Sequence, residues 1–172
     1  MRQMNDKLKF TFKAWPVIAA ATIGLCFLTQ GVAKLFGIDL PDQQNIEVVR
    51  SWLTHAFESL RHFLNCASLL AQVLVLLPVI EEFVFRWLLF MLPVRKIAKR
   101  TARVPILMLS SVLFSAAHYL VQPFPDAAFI ALFFFGLAQC WLYWKTNRIW
   151  CPMLNHALFN LTNLVLLFVI PS

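Results

Sequence analysis

The chain is 172 residues long, 60% hydrophobic and only 13% charged, with a mean hydropathy of +0.72, which is too apolar for an ordinary soluble domain. Its longest apolar runs exceed the roughly 18 residues that mark a membrane-spanning helix, so the expected fold is an all-α, polytopic membrane protein with about five transmembrane helices and one amphipathic surface helix. The net charge of +7 does not argue for nucleic acid, because the positive residues stand in short blocks beside apolar spans and form no basic groove interleaved with aromatics.

Residues 1–13 are polar and basic, with Arg2, Lys7, Lys9 and Lys13 against Asp6. Span one covers about 14–36 and opens with Trp15-Pro16, read as an interfacial anchor and helix start. This run is long and lacks a cleavage site, so it is expected to be retained and not removed as a signal peptide. Residues 37–61 change character: Gly37, Asp39, Pro41, Asp42 and Asn45 read as a loop. Then Ile46, Val49, Trp52, Leu53, Phe57 and Leu60 recur at helical spacing, with Glu47, Arg50, Glu58 and Arg61 between them. This is an amphipathic helix expected to lie on the membrane surface. His55 and His62, in or beside it, are expected to face solvent.

Residues 62–92 form a second apolar run, with Pro78 expected to kink it and to release a backbone carbonyl near residue 74. The stretch 93–103 carries Arg95, Lys96, Lys99, Arg100 and Arg103 and no acid. Span three covers about 104–120, a turn follows at Gln122–Asp126, span four covers about 127–144, Lys145–Arg148 is a basic turn, and span five runs from about 149 to 170, before Pro171. With the N-terminus in the cytoplasm, every basic segment falls on the cytoplasmic side, as the positive-inside rule requires. Lys34 is the exception and can snorkel. Cys26, Cys66, Cys140 and Cys151 have no CxxC spacing and read as small packing residues, not as a disulfide or metal set.

Charge inside these spans is the chemical signal. Glu81, Glu82 and Arg86 fall in the second span, where each charge costs about 2.5–3.5 kcal/mol on insertion scales. Glu82 and Arg86 are four residues apart and can pair on one helix face. Glu81 lies about 100° round the helix and has no local partner, which suits a general base. Span three offers Phe114 and His118 four residues apart, and span five offers His156 and Asn160. Gln139, Asn155 and Asn163 add amides. Counting about 1.5 Å per residue from the cytoplasmic ends puts Glu81, His118 and His156 about 16, 21 and 10 Å deep, close enough to meet.

Each residue also has a plainer reading. A single buried His or Asn often joins helices, Glu82–Arg86 can be a structural ion pair, and Phe114 is more often core than functional. Glu81 is the hardest to explain as scaffold.

In order along the chain, Glu81-Glu82-Phe83-Val84-Phe85-Arg86, Phe114-Ser115-Ala116-Ala117-His118 and His156-Ala157-Leu158-Phe159-Asn160 match the patterns EExxxR, FxxxH and HxxxN. Together they resemble the CPBP family, the CAAX proteases and bacteriocin-processing (Abi) enzymes. The resemblance covers about residues 78–163, and the expected division is an N-terminal unit, 1–61, and a catalytic core, 62–172. The resemblance implies an intramembrane endopeptidase acting on a membrane-anchored protein or peptide: a bacteriocin-type, prenylated or C-terminal sorting-tail substrate. By position, Glu81 would activate water, His118 would orient it or shuttle its proton, His156 and Asn160 would stabilise the oxyanion, and Glu82 and Arg86 would orient the others. No cofactor is expected; a zinc site of one Glu and two His is the less favoured alternative, since no HExxH is present. Trp87 stands where the family commonly has a small residue, and the chain is short for it. The competing reading is a non-catalytic membrane scaffold or immunity protein that uses the polar cluster for helix packing.

Overall fold

The computed structural model describes residues 2–38, 40, 45–99, 101–121 and 128–169. The loop residues Asp39, Pro41 and Asp42, the basic Arg100, the turn 122–126, Pro171 and the side chains of Ile46 and Glu47 lie outside them. Among the described residues six helices longer than one turn form: α1 (Arg2–Leu35), α2 (Asn45–Thr54), α3 (Leu60–Val94), α4 (Val104–Val121), α5 (Ala128–Thr146) and α6 (Trp150–Val169). All of the described regular structure is helical, and α1, α3, α4, α5 and α6 are long and apolar enough to cross a membrane. Large apolar side chains such as Val17, Leu28, Leu64, Val75 and Val165 face outward. That arrangement suits lipid as solvent and not water.

Two boundaries differ most from the sequence reading, and α5 runs two residues further, to Thr146, into the expected basic turn. The first helix begins near Arg2 and runs straight through Trp15-Pro16, so Pro16 is an interior residue and not a start. Tertiary contact accounts for this: Phe10 packs its ring 5.6 Å from that of Trp141 in α5, while within the helix Thr11 Oγ1 bonds back to the Lys7 carbonyl. The amphipathic helix is also shorter than its pattern. It stops at Thr54, and Ser59 then caps a new helix by accepting from the His62 N–H, so Leu60 belongs to α3. His55 and His62 are exposed as expected, and both face Glu58, at 2.5 and 3.8 Å. The short α2 is tied down at two points: Cys66 Sγ donates to the Trp52 carbonyl at 2.9 Å, and Arg50 Nη2 donates to the Leu167 carbonyl at 2.8 Å near the end of α6, where a cation complements the helix dipole. Among the described residues no disulfide forms.

The bundle closes around two apolar clusters. Ile18 and Ala19 of α1 meet Phe114 of α4, Phe135 of α5 and Phe159 of α6 in one; Phe90, Met91 and Val94 of α3 meet Cys140 and Tyr143 of α5 in the other. Trp15 Nε1 donates to Thr162 Oγ1 at 3.2 Å, tying α1 to α6. The α4–α5 crossing depends on a missing side chain. A Cβ added at Gly136 would lie 3.0 Å from Ser111 Cβ and 3.1 Å from Ser111 Cα. The second of these is backbone, so the helices would have to part. Gly136→Ala is therefore expected to destabilise the fold by about 1–3 kcal/mol, read as a lowered unfolding midpoint in detergent. An unchanged midpoint would show that the crossing is looser than its contacts imply.

The feature that bears most on the site is the winding of α3. Over Gln72–Leu76 and again over Phe83–Met91 it opens into π-helical turns, with backbone bonds reaching five residues back. The Leu77 N–H reaches Gln72 O. In that register the next donor would be residue 78, which is proline and has no N–H. The carbonyl released is then that of Val73, one residue from the position expected from an ordinary helix.

Candidate active site

The two π-type stretches bracket Glu81 and Glu82, and the winding sends these neighbours to opposite edges of one imidazole. Glu82 Oε1 is 2.9 Å from His156 Nδ1, while Glu81 Oε2 is 3.7 Å from Nε2 of the same ring. Glu81 Oε2 also lies 3.9 Å from His118 Nε2. The five residues Glu81, Glu82, Arg86, His118 and His156, from three helices, thus form one cluster, as their estimated depths allowed.

Access within the cluster is graded. The Glu82 and Arg86 side chains are 0% exposed and that of His156 is 5%, whereas those of Glu81 and His118 are 21% and 35% exposed. The cluster therefore opens to its surroundings at Glu81 and His118 and is sealed behind them.

Hydrogen bonds determine which ring nitrogens carry protons. His118 Nδ1 lies 2.9 Å from the Phe114 carbonyl, which can only accept, so Nδ1 is the donor. His156 Nδ1 faces the Glu82 carboxylate at 2.9 Å and is a donor for the same reason. In the neutral rings both Nε2 atoms are then lone pairs aimed towards Glu81. Glu81 Oε2 is itself buried with no hydrogen bond. Three acceptors converge on one small space, and what belongs there is a donor: a water molecule, a proton or a cation.

Behind them Arg86 Nε lies 3.0 Å from Glu82 Oε2, close in distance yet out of line for a hydrogen bond, and both terminal nitrogens of the guanidinium also lack hydrogen bonds. The cation rests on an aromatic face: its central carbon is 4.1 Å from the centroid of Phe114. Phe114 is fully buried core, as its apolarity predicts. It is also the surface on which Arg86 lies, and its ring centroid is 4.6 Å from that of His118 and 5.9 Å from that of His156. Spacing alone does not reveal this second duty.

Asn160, one turn beyond His156, donates through Nδ2 to the Val73 carbonyl at 2.8 Å. This is the carbonyl released ahead of Pro78, so α6 satisfies the first π-type stretch of α3. Gln139 and Asn155, both fully buried, bond to each other at 2.8 Å and join α5 to α6 beside His156, whereas Asn163 is exposed. Trp87 stacks on Phe83, ring centroids 4.8 Å apart, and packs at the edge of the Phe90–Tyr143 cluster. Ser110 escaped the sequence reading: its hydroxyl donates to the Phe85 carbonyl, within the second π-type stretch. A serine in an apolar helix gives little warning, because it can bond as well to its own helix, as Ser111 does to Leu107.

No curated protein and no solved structure gives a significant match to the chain. The family model described as type II CAAX prenyl endopeptidase Rce1-like matches residues 62–162. The matched stretch is more than half of the chain and contains every member of the cluster as well as Asn160 and Ser110. The geometry and the match agree with the motif resemblance, and the chain belongs to the Rce1-like family of type II CAAX prenyl endopeptidases.

Proposed function

We propose that the protein hydrolyses a peptide bond in a membrane-anchored protein or peptide, using a water molecule activated by Glu81. Family membership supports the reaction class. The observation that carries the assignment is the convergence of Glu81 Oε2 with two imidazole Nε2 atoms whose Nδ1 positions are committed as donors. A water oxygen about 2.8 Å from each of the three would sit at the apex above them. As its oxygen attacks the scissile carbonyl carbon, one water proton passes to Glu81.

Charge balance suggests the rest. Two carboxylates against one guanidinium leave the cluster one negative charge over, which a low-dielectric site resists. A proton on Nε2 of His156, which lies between the two carboxylates, would balance it, and the water would then donate to Glu81 and His118 and accept from His156. A protonated His156 Nε2, with the second amide N–H of Asn160, would donate to the oxyanion as the C–O bond forms. Collapse breaks the C–N bond, and the proton held by Glu81 reaches the leaving nitrogen directly or through His118. A prenylated CAAX tail is the first substrate to try; a bacteriocin-type precursor or a sorting tail is reached by the same chemistry. The same reading sets the protein in the cell membrane with its N-terminus and basic segments in the cytoplasm.

Zinc is the alternative occupant of the space. A tetrahedral ion bound at about 2.0–2.1 Å would draw its ligand atoms to about 3.3 Å from one another. The separations here are 3.7 and 3.9 Å, and among the described residues no three of His, Cys, Asp and Glu gather as a metal-holding group. The purified enzyme is therefore expected to cleave a quenched farnesylated CAAX peptide within about twofold of its full rate after EDTA treatment and metal removal. Activity lost to EDTA and restored only by zinc would overturn the water mechanism.

A further inference from the structure

A polar connection outside the three motifs runs across three helices to the residue beside Arg86. Cys140 Sγ of α5 lies 3.9 Å from Ser110 Oγ of α4, and Ser110 Oγ donates at 2.5 Å to the Phe85 carbonyl of α3. Ser110 is 1% exposed and Cys140 is fully buried. A carbonyl oxygen has two lone pairs, so Phe85 O can take Ser110 in addition to a donor from its own helix. The Phe85 carbonyl belongs to the peptide unit that leads into Arg86. Ser110 therefore grips the backbone at the root of the buried arginine.

This grip matters because the guanidinium has no aligned hydrogen bond of its own. Among the described residues its far end is held by the Phe114 face at 4.1 Å, the Phe85 ring at 5.9 Å and the Glu82 charge. The direction of the side chain is then set largely from the backbone, inside the π-type stretch Phe83–Met91. From Arg86 the geometry passes to Glu82, from Glu82 to His156 Nδ1, and so to the Nε2 that faces Glu81.

We propose that Ser110 is a positioning residue for this cluster: its hydroxyl fixes the Phe85–Arg86 peptide and, through Arg86 and Glu82, the aim of His156. The proposal rests on the catalytic reading above. Ser111 supplies the control. It is adjacent, fully buried and hydroxyl-bearing and, like Ser110, lies beside Cys140, but its hydroxyl donates to Leu107 of its own helix in place of α3.

Two readouts separate a positioning role from a packing role. The first uses a quenched farnesylated CAAX peptide in proteoliposomes. Ser110→Ala is expected to lower kcat about ten- to a hundredfold with KM nearly unchanged, Ser110→Thr to recover most of the rate because it keeps the hydroxyl, and Ser111→Ala to leave kcat at the wild-type value. The second does not need turnover. In protein labelled with nitrogen-15 histidine, the His156 Nδ1–H resonance should shift or broaden in Ser110→Ala and stay in place in Ser111→Ala. If Ser110→Ala does not survive extraction, Ser110→Cys, similar in size and a weaker donor, is read by the same criteria. An unmoved His156 resonance, or equal losses of kcat in Ser110→Ala and Ser111→Ala, would overturn the proposal. Failure of the wild-type protein to cleave the peptide would instead count against the CAAX substrate, and the resonance would still decide the role of Ser110.

Discussion

Glu81→Gln is expected to lower peptide cleavage by about two to four orders of magnitude, the usual contribution of a general base, while the unfolding midpoint in detergent stays close to wild type. The structural reason for expecting the second half is specific. Glu81 Oε2 makes no hydrogen bond, its ion-pair contacts are long at 3.7 and 3.9 Å, and its side chain is partly open. An amide of the same shape therefore loses little, and its N–H₂ offers donors to the two waiting Nε2 atoms. What glutamine cannot do is accept a proton from water. A variant that folds but does not cleave would separate chemistry from packing at this position. A variant that cleaves at the wild-type rate would remove Glu81 as the base and favour the scaffold reading.

Arg86→Met should behave in the opposite way, as a stability defect first. The arginine and Glu82 are both fully buried, so removing the cation strands a carboxylate where water cannot reach it. Breaking one side of such a pair costs about 3–5 kcal/mol. The cation–aromatic contact with Phe114 is lost as well. Adding Glu82→Gln to Arg86→Met removes the stranded charge, and the double variant is expected to regain much of the lost stability, because neutral replacement of a buried pair is often tolerated. It should not regain activity, since His156 Nδ1 then faces an amide in place of a carboxylate. Chemical unfolding of the four proteins in detergent gives the coupling. Strictly additive losses would mean that the two charges do not depend on each other.

The three motifs were readable because charges and imidazoles are costly at membrane depth and stand out against Leu, Val and Phe. Four-residue spacing then separates Glu82–Arg86 from Glu81 with no knowledge of the fold. The spans were readable from length and apolarity. The start of α1 was not, because the ring of Phe10 against Trp141 overrides the usual meaning of a proline at a helix entrance. The break after Thr54 carried a signal that the apolar pattern masked: Ser59 stands at an N-cap position. The π-type turns have no local signature beyond Pro78. They exist together with partners far away in sequence, Asn160 for Val73 and Ser110 for Phe85, and a window of neighbouring residues holds no information about either. The tautomers of His118 and His156 were likewise hidden, since each is set by a partner that only the folded chain defines.

The order in which the cluster is assembled follows from the bond between Glu82 and His156, which joins residues 74 positions apart. As the chain is synthesised, α3 enters the membrane well before α6 exists. Glu81, Glu82 and Arg86 in its middle arrive with the Glu82–Arg86 pair, four residues apart and available within the nascent helix itself, to offset their charge. That local pair serves as a travelling counter-ion for insertion, and His156 later joins it from the other side. Until α6 is in place, Glu81 has neither the imidazole opposite it nor the Asn160 contact that steadies its helix. On the proposed mechanism a half-made chain lacks His156 and Asn160, and its hydrolytic chemistry begins only when α6 has inserted.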